Sequence, residues 1–374
     1  MELRTEVLII GGGLAGLTSA IHLSSAGKQV VLIEKRHYPH HKVCGEYISN
    51  EVLPYLRYLK ADPAVLFPTK ITRLQISDIA GNSCETNLGT GGFGVSRYSF
   101  EHFLYEQAIA AGCTIVHQKV VSVVFEDDFF KVCTSSDTYK ARVVLGAFGK
   151  RAQLDQALQR PFIKKRSEWL AVKGHYKAEH PADLVALHNF HGGYCGISKV
   201  EHDIVNICYL VNYNSFKQYR NISEHQEGVL CKNPHLKAVF NQSSALFDQP
   251  MTISQISFEN KEKVQDHILM IGDTAGLIHP LCGNGMSMAI HAAALASTLV
   301  LDYLNGTISK RNELEARYIA RWNAEFKGRI QMGRLLSGIL LKPAAAKLVM
   351  KVLVNFPGLF KPIISRTHGR PVLM

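Results

Sequence analysis

The sequence predicts an α/β protein in which a nucleotide-binding unit is interleaved with β-rich segments and followed by a helical C-terminus. Three observations predict this class. An apolar strand runs directly into a glycine-rich turn and a helix, a second strand-and-glycine segment occurs about 260 residues later, and strand-like runs fill much of the chain between them. Short apolar runs that end at glycine turns are typical of buried parallel strands. The pattern therefore indicates a Rossmann-type domain interrupted by a second, β-rich one.

The composition excludes several other classes. The chain has 374 residues, of which 47% are hydrophobic and 20% are charged, and a disordered chain would be poorer in apolar residues. Its length allows a core that needs no disulfides or metals. The eight cysteines lack the spacing of zinc sites, and the first strand begins so early that we expect no signal peptide. We therefore expect free thiols in a cytoplasmic protein that binds no metal.

The net charge of +11 is concentrated at the C-terminus. Residues 310–374 contain 13 Lys and Arg and 3 Glu, so the remainder is nearly neutral. A nucleic-acid-binding protein would need a basic face on its body, and no nucleic-acid partner is expected. Residues 274–301 contain no Lys, Arg, Asp or Glu, but Pro and several Gly interrupt them. This segment predicts a loop and a buried helix, because a lipid-facing helix would not contain such residues.

The first motif is the glycine turn Gly11-x-Gly13-x-x-Gly16. Gly11 permits the tight turn, Gly13 lets a pyrophosphate approach the backbone, and Gly16 lets the helix pack on the strands. Leu14 and Ala15 begin that helix, whose N-terminus offers free N–H groups and the positive end of its dipole to phosphates. Strand, turn and helix in this order predict dinucleotide binding, by FAD or by NAD.

An acidic residue completes the first motif. Glu34 ends the second apolar strand, 23 residues after Gly11. A carboxylate in that position can accept a hydrogen bond from a ribose hydroxyl. Lys35, directly after it, is a further candidate for the cofactor site.

The second motif lies far down the chain. Gly272-Asp273 follows a strand, and Gly283-x-Gly285-Met286 opens a long helix. The segment resembles the Gly-Asp motif of flavoproteins of the p-hydroxybenzoate hydroxylase superfamily, in which the aspartate holds a ribityl hydroxyl. A helix N-terminus near the flavin would stabilise the negative charge of the reduced ring. The resemblance implies non-covalent FAD, with these five residues in its site.

Two further segments carry the resemblance. Arg97 begins a helix that, in this superfamily, brings an arginine to the cofactor; the alternative is a solvated arginine. Lys42-Val43-Cys44-Gly45-Glu46 is similar to a loop of geranylgeranyl reductases in which the cysteine lies close to the flavin. Lys42 is therefore a cofactor candidate and Cys44 a catalytic candidate, although Cys44 can also be a small buried apolar residue.

Two departures from related families bear on the reaction. Phe148 stands where aromatic hydroxylases of this fold carry the Asp of an Asp-Gly pair linked to FAD and NADPH use. The only tryptophans are Trp169 and Trp322, so the Trp-x-Trp-x-x-Pro segment of flavin halogenases is missing and halogenation is not expected.

The resemblance implies a reaction class and leaves its branch open. The first hypothesis is an FAD-dependent oxidoreductase that transfers hydride from reduced flavin to a double bond of a mainly apolar small molecule. The second is a monooxygenase that uses O₂ through a flavin hydroperoxide, and the third is a flavin-binding, membrane-docked protein without turnover. The electron donor would be NAD(P)H or another reductant.

The predicted domains are discontinuous. The FAD-binding domain comprises 1–68, 96–160 and 265–330, the β-rich substrate domain comprises 69–95 and 161–264, and a basic apolar helical tail comprises 331–374. Neither apolar run of the tail is long enough to span a bilayer. The tail is either a pair of helices packed over the core or an interfacial helix on anionic lipid, which would make the protein peripheral at a membrane.

Overall fold

The chain forms two β-sheets. The computed structural model describes residues 2–355 and 357–373. Its strands are β1 (Glu2–Ile10), β2 (Val30–Ile33), β3 (Tyr47–Ser49), β4 (Thr69–Ser77), β5 (Ser83–Gly94), β6 (Thr114–Val116), β7 (Val120–Glu126), β8 (Phe129–Thr134), β9 (Thr138–Gly146), β10 (Trp169–Lys177), β11 (Leu184–Phe190), β12 (Gly193–Lys199), β13 (Val205–Asn212), β14 (Ser244–Ala245), β15 (Met251–Ser254), β16 (Val264–Gln265) and β17 (Ile268–Met270).

The helices cover the first sheet and form the C-terminal part. They are α1 (Leu14–Ser25), α2 (Leu53–Tyr58), α3 (Arg97–Ala110), α4 (Gln153–Ala157), α5 (Tyr213–Phe216), α6 (Ile222–Gly228), α7 (Pro234–Asn241), α8 (Gly285–Leu304), α9 (Arg311–Leu340), α10 (Pro343–Asn355) and α11 (Phe360–Thr367). The α/β class and the helical C-terminus predicted from the sequence are confirmed.

The first sheet contains the glycine motif at its centre. Its order is β16-β17-β9-β1-β2-β6, and β1 pairs in parallel with both β2 and β9. β17, which precedes the Gly-Asp motif, pairs in parallel with β9. The carboxyl ends of β1 and β17 therefore lie at the same edge of the sheet, separated by β9. This places the two motifs together although they are far apart in sequence.

The second sheet is mainly antiparallel. Its order is β14-β10-β13-β12-β11-β4-β5-β3, with β15 also paired to β10. β3 comes from the first predicted FAD-binding segment, yet Ile48 pairs with Phe93 of β5 in this sheet. The chain thus passes from one sheet to the other within a few residues of Cys44. The domain boundaries stay a prediction, since strand pairing alone does not define independent units.

The long apolar helix and the tail pack on the body. Among the described residues, α8 alone is long and apolar enough to cross a membrane, and 72% of its apolar window is buried. Arg329 Nη1 of α9 donates to Glu51 Oε1 over 3.0 Å, and Asn284 Nδ2 donates to the carbonyl of Thr367 over 2.7 Å. A loop and a buried helix at 274–301 are therefore confirmed.

Candidate cofactor site and substrate cavity

The glycine turn has the geometry expected of its sequence. Gly11 has a φ of +105°, and a Cβ there would overlap the carbonyl oxygen of Ala147. A Cβ on Gly16 would overlap the carbonyl of Gly11, so both positions require glycine. Gly13 is the N-cap of α1 and, with Leu14 and Ala15, lines a cavity of about 520 Å³.

Two cations and one carboxylate lie opposite Gly13. We call Lys42, Arg97 and Glu101 the Glu101 cluster. Lys42 Nζ is 2.8 Å from Glu101 Oε2, and Arg97 Nη2 pairs with Glu101 Oε1. An ideal Cβ on Gly13 would lie 3.6 Å from Arg97 Nη2, 3.8 Å from Glu101 Oε1 and 3.9 Å from Lys42 Nζ. Burial, followed by the charge of Arg97, lowers the pKa of Lys42 to about 7.

The Glu101 cluster is not fully paired. The Nε of Arg97 is buried and has no hydrogen-bond partner within the described part of the chain. Arg97 begins α3, and Ser96 caps that helix by accepting from the amide of Ser99 over 3.1 Å. Because two cations share one carboxylate, a net positive charge faces the glycine turn.

The Gly-Asp loop meets α1 and is held by three cations. Gly272 has a φ of +60°, and its ideal Cβ would lie 3.0 Å from the Cβ of Ala15. The carbonyls of the three residues that follow Gly272 each accept from a different cation: Asp273 from Lys261 over 2.8 Å, Thr274 from Arg160 over 3.0 Å, and Ala275 from Lys263 over 3.0 Å. Burial lowers the pKa of both lysines to about 8.

Asp273 and the start of α8 line the same cavity. The carboxylate of Asp273 has no hydrogen-bond partner among residues 2–355 and 357–373, whereas its carbonyl is held by Lys261. Gly283 takes up a φ of +63°, and Gly285 and Met286 form the N-terminus of α8. A helix N-terminus and a free carboxylate therefore border one end of the cavity.

Cys44 lies where the two sheets meet. Its Sγ is 3.4 Å from the Sδ of Met286, and both residues line the cavity. The loop around it is tied to the second sheet through its carbonyls: Lys173 donates to Lys42, Asn206 to Cys44 and Ser198 to Gly45, over 3.2 to 3.3 Å.

A second buried ion cluster fixes the end of that loop. We call Glu46, Lys173 and His175 the Glu46 cluster. Glu46 Oε1 accepts from Lys173 Nζ over 2.5 Å and from the amide of Arg97 over 2.8 Å, and its Oε2 lies 2.7 Å from His175 Nε2. Burial opposes the charge of Glu46, but Lys173 and His175 hold its pKa below the usual value.

Five predicted residues are not part of the cavity lining: Gly11 and Gly16, which shape the turn, Lys42 of the Glu101 cluster, and Glu34 and Lys35. Glu34 is buried, and its carboxylate accepts from the amide of Gly12 over 2.7 Å and from the amide of Arg36 over 3.0 Å. Tyr38 Oη donates to the carbonyl of Gly12 over 2.5 Å. Lys35 is exposed directly after β2. The structure therefore brings together Gly13, Leu14, Ala15, Lys42, Arg97 and the residues of the second motif. Glu34 instead stabilises the glycine turn through the amide of Gly12.

The residues present fit FAD. Gly13 presents backbone without a side chain to the cations of the Glu101 cluster, which suits a pyrophosphate. The free carboxylate of Asp273 suits a polyol, and the N-terminus of α8 suits the electron-rich pyrimidine edge of a flavin. The sequence does not identify Glu101, Lys173 or Lys261 as site residues. Glu and Lys are common on protein surfaces, so the residue type alone does not indicate a buried position.

A family comparison agrees with this site. Residues 4–318 match the model of a family described as FAD binding domain. The chain belongs to this family. It is an FAD-dependent oxidoreductase in the family of the flavin monooxygenases and hydroxylases, so the superfamily resemblance and the enzyme prediction are confirmed. The non-enzyme alternative is therefore dropped.

The similar proteins differ in activity. The chain is 21% identical to conditioned medium factor receptor 1 of Dictyostelium discoideum, covering 92% of this chain and 74% of that protein. It is 23% identical to digeranylgeranylglycerophospholipid reductase of Methanosarcina mazei, covering 86% and 81%. The structure of the flavin-dependent brominase Bmp2 superposes with a TM-score of 0.81 at 18% identity, covering 99% and 94%. At that identity the likeness shows a common fold only.

Proposed function

We propose that this enzyme reduces a double bond in a long, mainly apolar molecule, using hydride from reduced FAD. One observation carries the proposal: a continuous apolar cavity extends from the cofactor end to the C-terminal helices. Its far part is lined by apolar side chains of the second sheet and of the tail, namely Leu74, Ile76, Leu88, Val185, Leu187, Leu335, Leu336, Ile339, Leu340, Val349 and Leu353. A substrate that fills it must be apolar, because few polar groups are available to replace its hydration.

The cofactor end supplies the reactive groups. FAD, held by the Glu101 cluster, Asp273 and the N-terminus of α8, supplies a hydride when reduced. A saturated product needs a proton as well, and the Cys44 thiol faces the cavity beside Met286. In this proposal the Sγ–H of Cys44 donates that proton. The Glu46 cluster holds the cysteine loop in place, and the apolar lining excludes water.

The named relatives support the substrate class. Several curated relatives at 21 to 24% identity are named digeranylgeranylglycerophospholipid reductase. A substrate of that name carries long hydrocarbon chains, which the apolar lining of the present cavity would accommodate. The Lys42-to-Glu46 loop adds support, since the sequence resemblance to reductases rests on it.

An anaerobic single-turnover experiment tests the reaction. Purified FAD-loaded enzyme is reduced with dithionite, freed of excess reductant and mixed with a geranylgeranyl ether lipid. We expect reoxidation of the flavin absorbance and a product that has gained two hydrogens by mass spectrometry. A product that gains one oxygen, formed only after O₂ is admitted, would establish the monooxygenase branch and overturn the reductase.

A cysteine substitution then tests the proton donor. Cys44→Ser should retain FAD and slow flavin reoxidation by lipid at least tenfold, because a serine hydroxyl is a much weaker acid than a thiol. Cys84→Ser removes a partly buried thiol outside the cavity lining and serves as the control. Equal reoxidation rates for wild type and Cys44→Ser would remove Cys44 from the mechanism.

A further inference from the structure

The outer face of α10 is unusual because apolar and basic side chains lie side by side on it. Ala346, Met350 and Leu353 are buried and form the inner face. Leu348 is 65% exposed and Val352 40% exposed, four residues apart on the outer face. Lys347 and Lys351, also four apart and exposed, form a parallel row beside them.

The charge of this region has a single sign. From residue 326 to the end the chain contains nine Lys and Arg and no Asp or Glu. A helix that only covered a core would gain nothing from exposed leucines and from the lack of acidic residues. Apolar side chains flanked by lysines are the composition of helices that lie in the interface of an anionic membrane.

The exposed apolar row is continuous with the cavity. Val349 lines the cavity and lies three residues before Val352 on the same side of α10. Leu335 of α9 also lines the cavity and is 57% exposed, so it lies at the rim of an opening. An apolar path therefore leads from the outer face of the tail to the substrate site.

We propose that Lys347, Leu348, Lys351 and Val352, with Leu335 at the rim, form a face that docks on an anionic lipid bilayer. The leucine and valine side chains enter the interface and the lysines bind lipid phosphates. The cavity then opens toward the bilayer, so a membrane lipid can reach the flavin without crossing water. Delivery of such a substrate rests on the proposed function, but docking itself does not.

Vesicle co-sedimentation of the full chain loaded with FAD tests the docking. The vesicles contain either phosphatidylcholine alone or a mixture with phosphatidylglycerol. We expect binding to the mixed vesicles at low salt, release as salt rises, and little binding to phosphatidylcholine alone. Failure to bind the mixed vesicles, or equal binding to both kinds, would overturn the proposal.

Three variants locate the face. Lys347→Glu with Lys351→Glu should lower the partition coefficient at least about tenfold, and Leu348→Ser with Val352→Ser should lower it several-fold. Lys232→Glu with Lys237→Glu, which reverses two exposed charges near α7, is the matched control and should retain most of the binding. A loss as large in the control as in the α10 variants would overturn the assignment to α10. None of these readouts uses turnover, so a failed docking test is distinguishable from a failed reductase test.

Discussion

The Glu101 and Glu46 clusters are similar in make-up and differ in how completely their polar groups are paired. Each joins one buried carboxylate to two basic side chains, and both are attached to the loop that carries Cys44. In the Glu46 cluster the carboxylate is hydrogen-bonded to Lys173, to His175 and to the amide of Arg97, and none of the cluster's atoms is among the buried polar atoms that lack a partner in the described chain. In the Glu101 cluster the buried Nε of Arg97 has no partner in the described chain, and the backbone of Gly13 lies next to the cluster.

This difference separates a structural ion cluster from a binding one. In a fully paired cluster, substitution of one member lowers the stability of the fold, because it leaves a buried charge without compensation. A cluster with spare positive charge beside open backbone can accept an anion from outside. We therefore expect substitutions in the Glu46 cluster to change stability, and substitutions in the Glu101 cluster to change FAD affinity.

The largest expected effect is the loss of Glu46. Glu46→Ala leaves Lys173 buried without its counter-charge, and we expect the free energy of unfolding to fall by about 3–5 kcal/mol. Urea unfolding at one saturating FAD concentration measures it. Glu85→Ala removes an exposed pair with Arg73 and should cost less than about 1 kcal/mol.

A second substitution tests whether the uncompensated charge of Lys173 causes the loss of stability in Glu46→Ala. Adding Lys173→Met to Glu46→Ala should restore part of the lost stability, since the uncompensated charge is removed. If the free energy of unfolding fell by similar small amounts in Glu46→Ala and Glu85→Ala, the Glu46 cluster would not be a stabilising element of the fold.

A smaller effect is expected from Arg97. Arg97→Met keeps the Lys42–Glu101 pair, so the free energy of unfolding should change little. The variant loses a charge-assisted contact to the cofactor phosphates, worth about 1.5–3 kcal/mol, which corresponds to a rise of roughly 10- to 150-fold in the Kd for FAD. Flavin fluorescence titration measures this, with the exposed Arg57→Met as control. An unchanged Kd would contradict the binding role of the Glu101 cluster.

The sequence predicts those parts of the site whose residue types are required by the local backbone conformation. Within a single strand–turn–helix unit, Gly11 is required by its positive φ and Gly16 by its contact with the carbonyl of Gly11, so their spacing alone indicates the turn. Asp273 follows a strand in a short motif of the same kind. A positive φ and a helix N-terminus are local features, and the sequence carries them within a few residues.

The parts that could not be predicted depend on contacts between distant segments. Glu46 and Lys173 are 127 residues apart. Glu46 directly precedes β3 and Lys173 lies in β10, and five strands separate β3 from β10 in the order of the second sheet, so no local pattern indicates this pair. Of the cations that hold the carbonyls after Gly272, Arg160 is 114 residues away in sequence, whereas Lys261 and Lys263 are each 12 residues away. The sequence leaves the tail open between packing and lipid. In the structure α10 has a buried inner face and an exposed outer face, a difference that depends on what the helix packs against.

The smallest expected effect is a pH dependence that only the Glu101 cluster should show. The pKa of Lys42 is lowered to about 7 in the protein alone, by burial first and then by Arg97. A bound pyrophosphate favours the charged form, so binding above pH 7 must take up a proton. FAD affinity should therefore be highest below pH 7 and weaken about three- to tenfold as the pH rises from 7 to 9, one pKa unit being a factor of ten. Lys42→Arg keeps its charge throughout this range, and its Kd should stay flat. Parallel pH profiles for wild type and Lys42→Arg would show that Lys42 does not titrate against the cofactor, and the positive charge opposite Gly13 would then belong to Arg97 alone.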